Sequence, residues 1–384
     1  MKSEERRELR YQRRKAKREA AKAKRNAEHD FQKVSSFGSL RKSFYVARKG
    51  TNWKASVQRY GCNVLRNSYN QSRLLKQHKN ISKGFIEFDL NERGKTRHIS
   101  SVHISERVVQ KSTCMYGISP VISASLINEN GASQKGKGTE FASQILIKHL
   151  RSHYRKSGFT NSGWVIVGDE HDFFGSQLHS VVNKNMRRLV TDQELVDQTM
   201  EFINAFDRGL GLGSEVCQIN AVAYPNQIDH YIKEVLRCKY YGRYMDDWYI
   251  IVDTKEEAKR YLEDIASKYA EIGIQMNPKK TQIIKLSHGF TFLQDRFFLT
   301  DTGKVVRKPS HKKISRDRRK LKKMANLLER GEISFEQITS FYVSFCGYMK
   351  WKTARKTKWC MDKLFNSLFI ENFIGGTNNE ALIT

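Results

Sequence analysis

Three carboxylates in this chain stand where short apolar runs end: Asp169, Asp246 and Asp247. Gly163-Trp-Val-Ile-Val-Gly-Asp169 reads as a buried strand tipped by an acid. Lys239-Tyr-Tyr-Gly-Arg-Tyr-Met-Asp-Asp-Trp-Tyr-Ile-Ile-Val252 reads as a strand–turn–strand hairpin with two acids at its turn. Acids at such positions are costly unless exposed, paired or metal-bound. Two Mg²⁺ ions about 3.5–4 Å apart need several hard oxygen ligands converging from more than one strand. One strand-end Asp and a hairpin Asp-Asp supply that set. An Asp-Asp pair alone says little, because most are turn residues.

The elements around these acids must hold them together. A strand over 84–90, a turn at Asn91-Glu-Arg-Gly94 and a strand over 95–100 make a hairpin. A helix follows from Ser105, a good N-cap. Residues 128–140 are a Gly-rich basic loop opening a helix over 140–154; a phosphate contact and a plain surface loop are equal readings. After the Asp169 strand, 176–188 is periodic as a helix. After the Asp-Asp hairpin, 255–273 carries a helical stripe (Ala258, Tyr261, Leu262, Ile265, Tyr269) and Ile274 begins a strand. This order, β–α–β–hairpin–α–β, is that of a split βαβ sheet, so the fold class is α+β.

Charge narrows the partners. The 384 residues hold 69 Lys+Arg against 40 Asp+Glu, a formal charge of +29. A chain so basic calls for a polyanion, and nucleic acid is the first choice. A hydrophobic content of 39% allows a real core, which excludes wholesale disorder, and 4 Pro exclude Pro-rich linkers. No apolar run approaches the ~18 residues of a membrane span and no signal peptide is evident. Six Cys without a CxxC pair fit a reducing, cytoplasmic setting, and the lack of a basic amphipathic helix with a clean apolar face argues against a membrane partner. Residues 1–36, with 13 Lys/Arg and no Pro or Gly, read as a basic helical arm on nucleic acid or else a solvated tail. Residues 304–330 carry 12 Lys/Arg and open a basic helical lobe.

Tyr244-Met-Asp-Asp247 between apolar strands resembles the hallmark of reverse transcriptases. Other segments agree in order over roughly 84–370. Lys95-Thr-Arg-His-Ile99 and Ser105-Glu-Arg-Val-Val-Gln110 are similar to the fingers motifs of group II intron-type enzymes. Asp169-Glu-His-Asp-Phe-Phe174 resembles the palm Asp motif. Gly273-Ile-Gln-Met-Asn-Pro-Lys-Lys-Thr281 and Phe290-Thr-Phe-Leu293 resemble the segments after it. The resemblance implies a right-hand polymerase: a basic arm over 1–36, fingers over 37–160, a catalytic palm over 161–300 and a helical thumb over 301–384. It implies RNA-directed DNA synthesis with two Mg²⁺ ions, on an RNA template and RNA/DNA hybrid, from deoxynucleoside triphosphates.

Site roles follow from the same resemblance. Asp169 and Asp246 bridge both metals, and Asp247 is a supporting ligand. Phe174 is the ring that clashes with a ribose 2′-hydroxyl; the rival reading is a core ring. Arg97 grips the triphosphate, with Lys95 beside it in the motif. Lys280 holds or protonates pyrophosphate; a solvated lysine is the rival. Leu212 and Gly213 border the templating pair. Where the family reads QGxxxSP, this chain has Leu212-Gly-Ser-Glu-Val-Cys-Gln218. That resembles the variant of diversity-generating retroelement enzymes, as does Ser344-Phe-Cys-Gly-Tyr-Met-Lys-Trp351 in the thumb. Those enzymes copy RNA with errors at adenines and work with a small helical-bundle accessory protein. The alternatives are an antiphage defence reverse transcriptase and, outside enzymes, a maturase-like RNA chaperone.

Overall fold

A computed structural model describes residues 3–371 apart from residue 93. Eleven strands occur among the described residues: β1 (Phe85–Glu92), β2 (Lys95–Val102), β3 (Trp164–Gly168), β4 (Glu170–His171), β5 (Tyr241–Tyr244), β6 (Asp247–Val252), β7 (Gln275–Met276), β8 (Gln282–Lys285), β9 (Phe290–Phe292), β10 (Asp295–Leu299) and β11 (Val305–Pro309). Helices carry most of the remaining chain, so the architecture is α+β.

The central sheet runs β5-β6-β3-β8, and every neighbour is antiparallel. Read along the chain, that is the strand arrangement of a split βαβ unit, as the sequence predicts. Side chains alternate across the pleat, and here both faces are covered. Trp248, Ile250 and Val252 of β6 enter a core completed by Ile265 and Tyr269 from the helix Lys255–Glu271. Tyr249 and Ile251 enter a second core with Leu146 and Leu150 from the helix Thr139–Lys156 and with the small sheet β11-β10-β9. A strand buried on both sides must be continuously apolar, and β6 is from Trp248 to Val252, beyond the Asp247 at its open end.

The β1–β2 hairpin pairs in register from Phe85↔Val102 to Glu92↔Lys95 and projects from the body, with 86–91 and 94–98 exposed. The helix after it spans Ile104–Ser112, and its N-cap is His103, not Ser105: the His103 ring Nδ1 accepts from the Ser105 amide at 3.3 Å. The helix expected over 176–188 spans His179–Leu189, because the chain first turns through Asp172, whose φ is 44°.

The basic N-terminal segment is one exposed helix over Ser3–Glu28. Its last turns are docked. Asn26 donates to the Leu189 carbonyl and accepts from the Thr191 amide at 2.9 Å, and Phe31 and Val34 lie in the main core. The last helical lobe has its own core, built from Leu321, Ile338, Phe345, Met361 and Phe365. Asp295 fastens it to the small sheet. This buried carboxylate accepts from Arg307 and Lys352, each at 2.7 Å, and from the Tyr348 hydroxyl at 2.5 Å. The chain enters this lobe through β11, so the basic composition from 304 starts inside a sheet.

Gly168 closes β3 against the Trp248 ring, and a Cβ there would fall inside the indole. Overpacking of this kind costs about 1–3 kcal/mol. Gly168→Val is therefore expected to lower the urea midpoint of unfolding, while the same change at the open, helical Gly38 should not.

Candidate active site

Register explains how the acids meet. Gly168 pairs with Trp248 and Val167 with Gln282. One step past the end of β3, Asp169 therefore lies opposite Asp247 on one side, and Lys280 flanks it on the other. The β5–β6 connection is a two-residue turn, Met245-Asp246, closed by the Tyr244↔Asp247 pair. Met245 takes a φ of 56°, the left-handed first position that a tight hairpin needs. The turn delivers Asp246 to the same end of the sheet.

Asp169 is 6% exposed and well held. Lys280 Nζ donates to both its carboxylate oxygens, at 2.6 and 2.7 Å, and Asn277 Nδ2 donates to Oδ2 at 3.1 Å. The Asn277 amide donates to the Asp169 carbonyl at 2.8 Å. Burial pushes the Asp247 carboxyl up to about 7, with the charges of Asp246 and Asp169 adding to the rise. Burial likewise raises Asp246, with Asp169 contributing, while Lys280 and Arg97 oppose the rise. Burial disfavours the Lys280 ammonium, but Asp169, Asp246 and Asp247 outweigh it and raise its pKa. Glu170 is buried beside this cluster and is held well above the usual carboxylate range by burial, so its neutral form is favoured.

A cleft of about 750 Å³ opens over this end of the sheet. It brings together six of the residues singled out in the sequence: Arg97, Phe174, Leu212, Gly213, Gln218 and Asp246. Phe174 is half-buried in it, edge-on to Phe173 with centroids 5.5 Å apart. The Leu212 carbonyl accepts from the Ser100 amide of β2 at 2.9 Å, so the 212–213 segment forms part of the wall beneath the hairpin. Gly213 has φ +116°, and a Cβ there would sit 2.6 Å from the Ser100 carbonyl oxygen. Only glycine allows that approach. Gln218 is exposed and donates to Ser133 Oγ at 3.2 Å. Lys95 does not line the cleft; it starts β2 at the hairpin's far end, opposite Glu92.

Sequence reading passed over several cleft residues. Arg107, Gln110 and Lys111 line it, with Arg107 Nη2 bonded to Ser101 Oγ at 2.7 Å and Gln110 accepting from the Ser214 hydroxyl at 3.0 Å. Arg107 and Gln110 lie inside the Ser105–Gln110 motif, so the motif held the signal. Asn277 also lies inside a quoted motif.

The donor set suits divalent cations in its chemistry. It offers hard carboxylate oxygens, those of Asp246 and Asp247 raised in pKa by burial and by the nearby Asp169, and an ammonium already seated on Asp169. Among the described residues no three His, Cys, Asp or Glu side chains close a cage around an ion. Magnesium is commonly held by one or two carboxylates with water and substrate phosphates completing the shell, so no cage is needed.

A sheet-end acid cluster beneath a cleft, beside a projecting hairpin and a separate helical lobe, defines a right-hand polymerase. The sequence matches the family described as reverse transcriptase (RNA-dependent DNA polymerase) over residues 89–294, more than half of the chain. The chain belongs to that family. Members of the family generally use divalent metal ions. No curated protein matches the sequence. Among solved structures, apo telomerase from Candida tropicalis is similar at 14% identity and a TM-score of 0.47, covering 77% of this chain and 63% of that one. Telomerase from Candida albicans in complex with a fragment of telomeric RNA is similar at 11% identity and a TM-score of 0.46, covering 80% and 65%. This chain thus spans less than two thirds of the length of those telomerase chains. No helix among the described residues is long and apolar enough to cross a membrane.

The raised Asp247 pKa predicts a pH dependence. From the ordinary value of 3.8 up to about 7, the folded metal-free chain holds more protons at Asp247 than the unfolded chain does. Its contribution to stability therefore falls as pH rises through that window. In chelator, Asp247→Asn should flatten the profile of Tm against pH between about 4.5 and 7.5. Added Mg²⁺ should raise the wild-type Tm more at pH 7.5 than at pH 5.

Proposed function

We propose that this protein extends a primer on an RNA template by two-Mg²⁺ nucleotidyl transfer. One observation carries this reading: sheet register sets Asp247, Asp169 and Lys280 in a row, and a two-residue turn adds Asp246 beneath the cleft. Asp169 and Asp246 would hold both ions, with Asp247 supporting. When bound, such ions favour the alkoxide of a primer 3′-hydroxyl and neutralise the departing pyrophosphate. The chain's own residues do the rest. Arg97, on the hairpin over the cleft, binds the triphosphate through charge-assisted bonds. Lys280 exchanges its contact with Asp169 for the leaving phosphates, a shift that an exposed, flexible ammonium makes readily. Phe174 lies under the sugar and excludes the 2′-hydroxyl by contact. The basic helix over Ser3–Glu28 contributes phosphate contacts to template RNA.

We read the enzyme as the error-prone polymerase of a diversity-generating retroelement. The support is the Leu212-Gly-Ser-Glu-Val-Cys-Gln218 segment, whose Leu212 and Gln218 both line the cleft. A small helical-bundle accessory protein belongs to that reading.

The test of the reaction is Asp246→Asn, which should reduce deoxynucleotide incorporation on a primed RNA template to background while RNA affinity stays within about twofold. Near wild-type synthesis by this variant would remove the site assignment. Phe174→Ala should raise ribonucleotide over deoxynucleotide incorporation by roughly 10- to 200-fold, the range a lost steric contact commands; competition assays with both nucleotides measure it. For fidelity, Leu212 offers only apolar contact where glutamine would hydrogen-bond. A discrimination difference of ~1–3 kcal/mol corresponds to roughly 5- to 150-fold. Sequenced cDNA from a defined template should show adenine-biased errors in the wild type and fewer in Leu212→Gln. Uniformly low error at all four bases would leave the defence reading in place of the diversifying one.

A further inference from the structure

A full charge lies buried beneath the acid-bearing turn, and the reaction above does not use it. Arg243 on β5 and its partner Asp229 are both 0% exposed in their side chains. All three guanidinium nitrogens are engaged. Nε donates to the two Asp229 oxygens at 2.9 and 3.1 Å, and Nη2 donates to Asp229 Oδ2 at 2.6 Å. Nη2 also reaches the Val222 carbonyl at 2.9 Å, and Nη1 reaches the Met245 carbonyl at 3.1 Å. Asp229 accepts in addition from the Tyr241 hydroxyl at 2.5 Å. The Arg243 backbone is pinned as well: its carbonyl accepts from the Gly131 amide at 3.0 Å and its amide donates to the Glu129 carbonyl at 3.3 Å.

Stability alone does not call for this arrangement. A buried ion pair is often no better than a well-packed apolar pair of the same volume. What an apolar pair could not do is hold a particular carbonyl in a particular place. The Met245 carbonyl belongs to the residue with φ 56°, a left-handed conformation that costs a side-chain-bearing residue energy. It immediately precedes Asp246. The planar fork reaches that carbonyl from an anchor on a helix of another segment.

We propose that Arg243, locked by Asp229, is a positioning residue that fixes the Met245 carbonyl and so aims the Asp246 carboxylate at the cation site. The proposal rests on the nucleotidyl-transfer reading. Lysine at 243 keeps the charge but loses the fork, so it cannot serve Asp229, Val222 and Met245 together.

The experiment uses the full chain with Mn²⁺ as the probe. Mn²⁺ affinity is measured by electron paramagnetic resonance, and kcat and KM by primer extension. Arg243→Lys should weaken Mn²⁺ binding and lower kcat by about 10- to 100-fold each, the usual cost of losing support behind a metal ligand. KM for the deoxynucleotide should stay within about threefold. Where Arg243→Lys does not fold, Tyr241→Phe removes one hydroxyl from the same anchor and should lower both quantities in the same sense by a smaller factor. A folded Arg243→Lys, or a folded Tyr241→Phe, with Mn²⁺ affinity and kcat within twofold of wild type overturns the proposal. Should the wild type itself make no DNA, the nucleotidyl-transfer reading fails, while the Mn²⁺ titration still decides whether Arg243 positions the site.

Discussion

Like charges must be brought together at the end of one sheet, and much of the architecture answers that demand. Burial raises the proton affinity of Asp246 and Asp247, and the neighbouring charge of Asp169 adds to the rise at both. Carboxylates so placed would drift apart in a soft structure. They are held because β3 and β6 are clamped between two apolar cores, where Val165, Ile166, Trp248 and Ile250 admit no slack. The strain is also answered locally. Lys280, Asn277 and Thr281 reach Asp169 from the segment leading into β8, the strand flanking β3 opposite β6. The two sides of Asp169 thus carry opposite signs, an acid on one and an ammonium on the other. Such a place welcomes a mobile cation.

Local pattern made much of this legible. Continuous apolar runs ending in acids announced β3 and β6, and the break at Met245-Asp-Asp247 announced the turn between β5 and β6, although pairing with Tyr244 draws Asp247 out of that turn and into β6. The helix Lys255–Glu271 and the β1–β2 hairpin were equally visible in periodicity and turn residues. What stayed hidden depends on contacts between distant segments. Nothing in the sequence around Leu212 says that its carbonyl will pair with Ser100. Arg243 reads as one more basic residue in a chain of 69 Lys+Arg until Asp229 is seen beside it at 0% exposure. Cap choice is hidden for another reason: His103 and Ser105 are both competent, and His103 is the one that keeps a non-helical backbone (φ −59°, ψ 154°).

The tie between Ser100 and Leu212 bears on how the cleft can vary. The bond is made by backbone atoms, and Gly213 is kept small by the Ser100 carbonyl, not by anything a substrate would touch. The main chain at 212 is therefore fixed by β2 irrespective of the side chain it carries. Leucine or glutamine at this position would start from the same Cα and enter the same cleft. The position can change the chemistry of the cleft wall without moving the hairpin or the acids. On the function proposed above, a residue whose backbone is secured by one strand and whose side chain lines the cleft is a natural place for one polymerase scaffold to differ in fidelity from another.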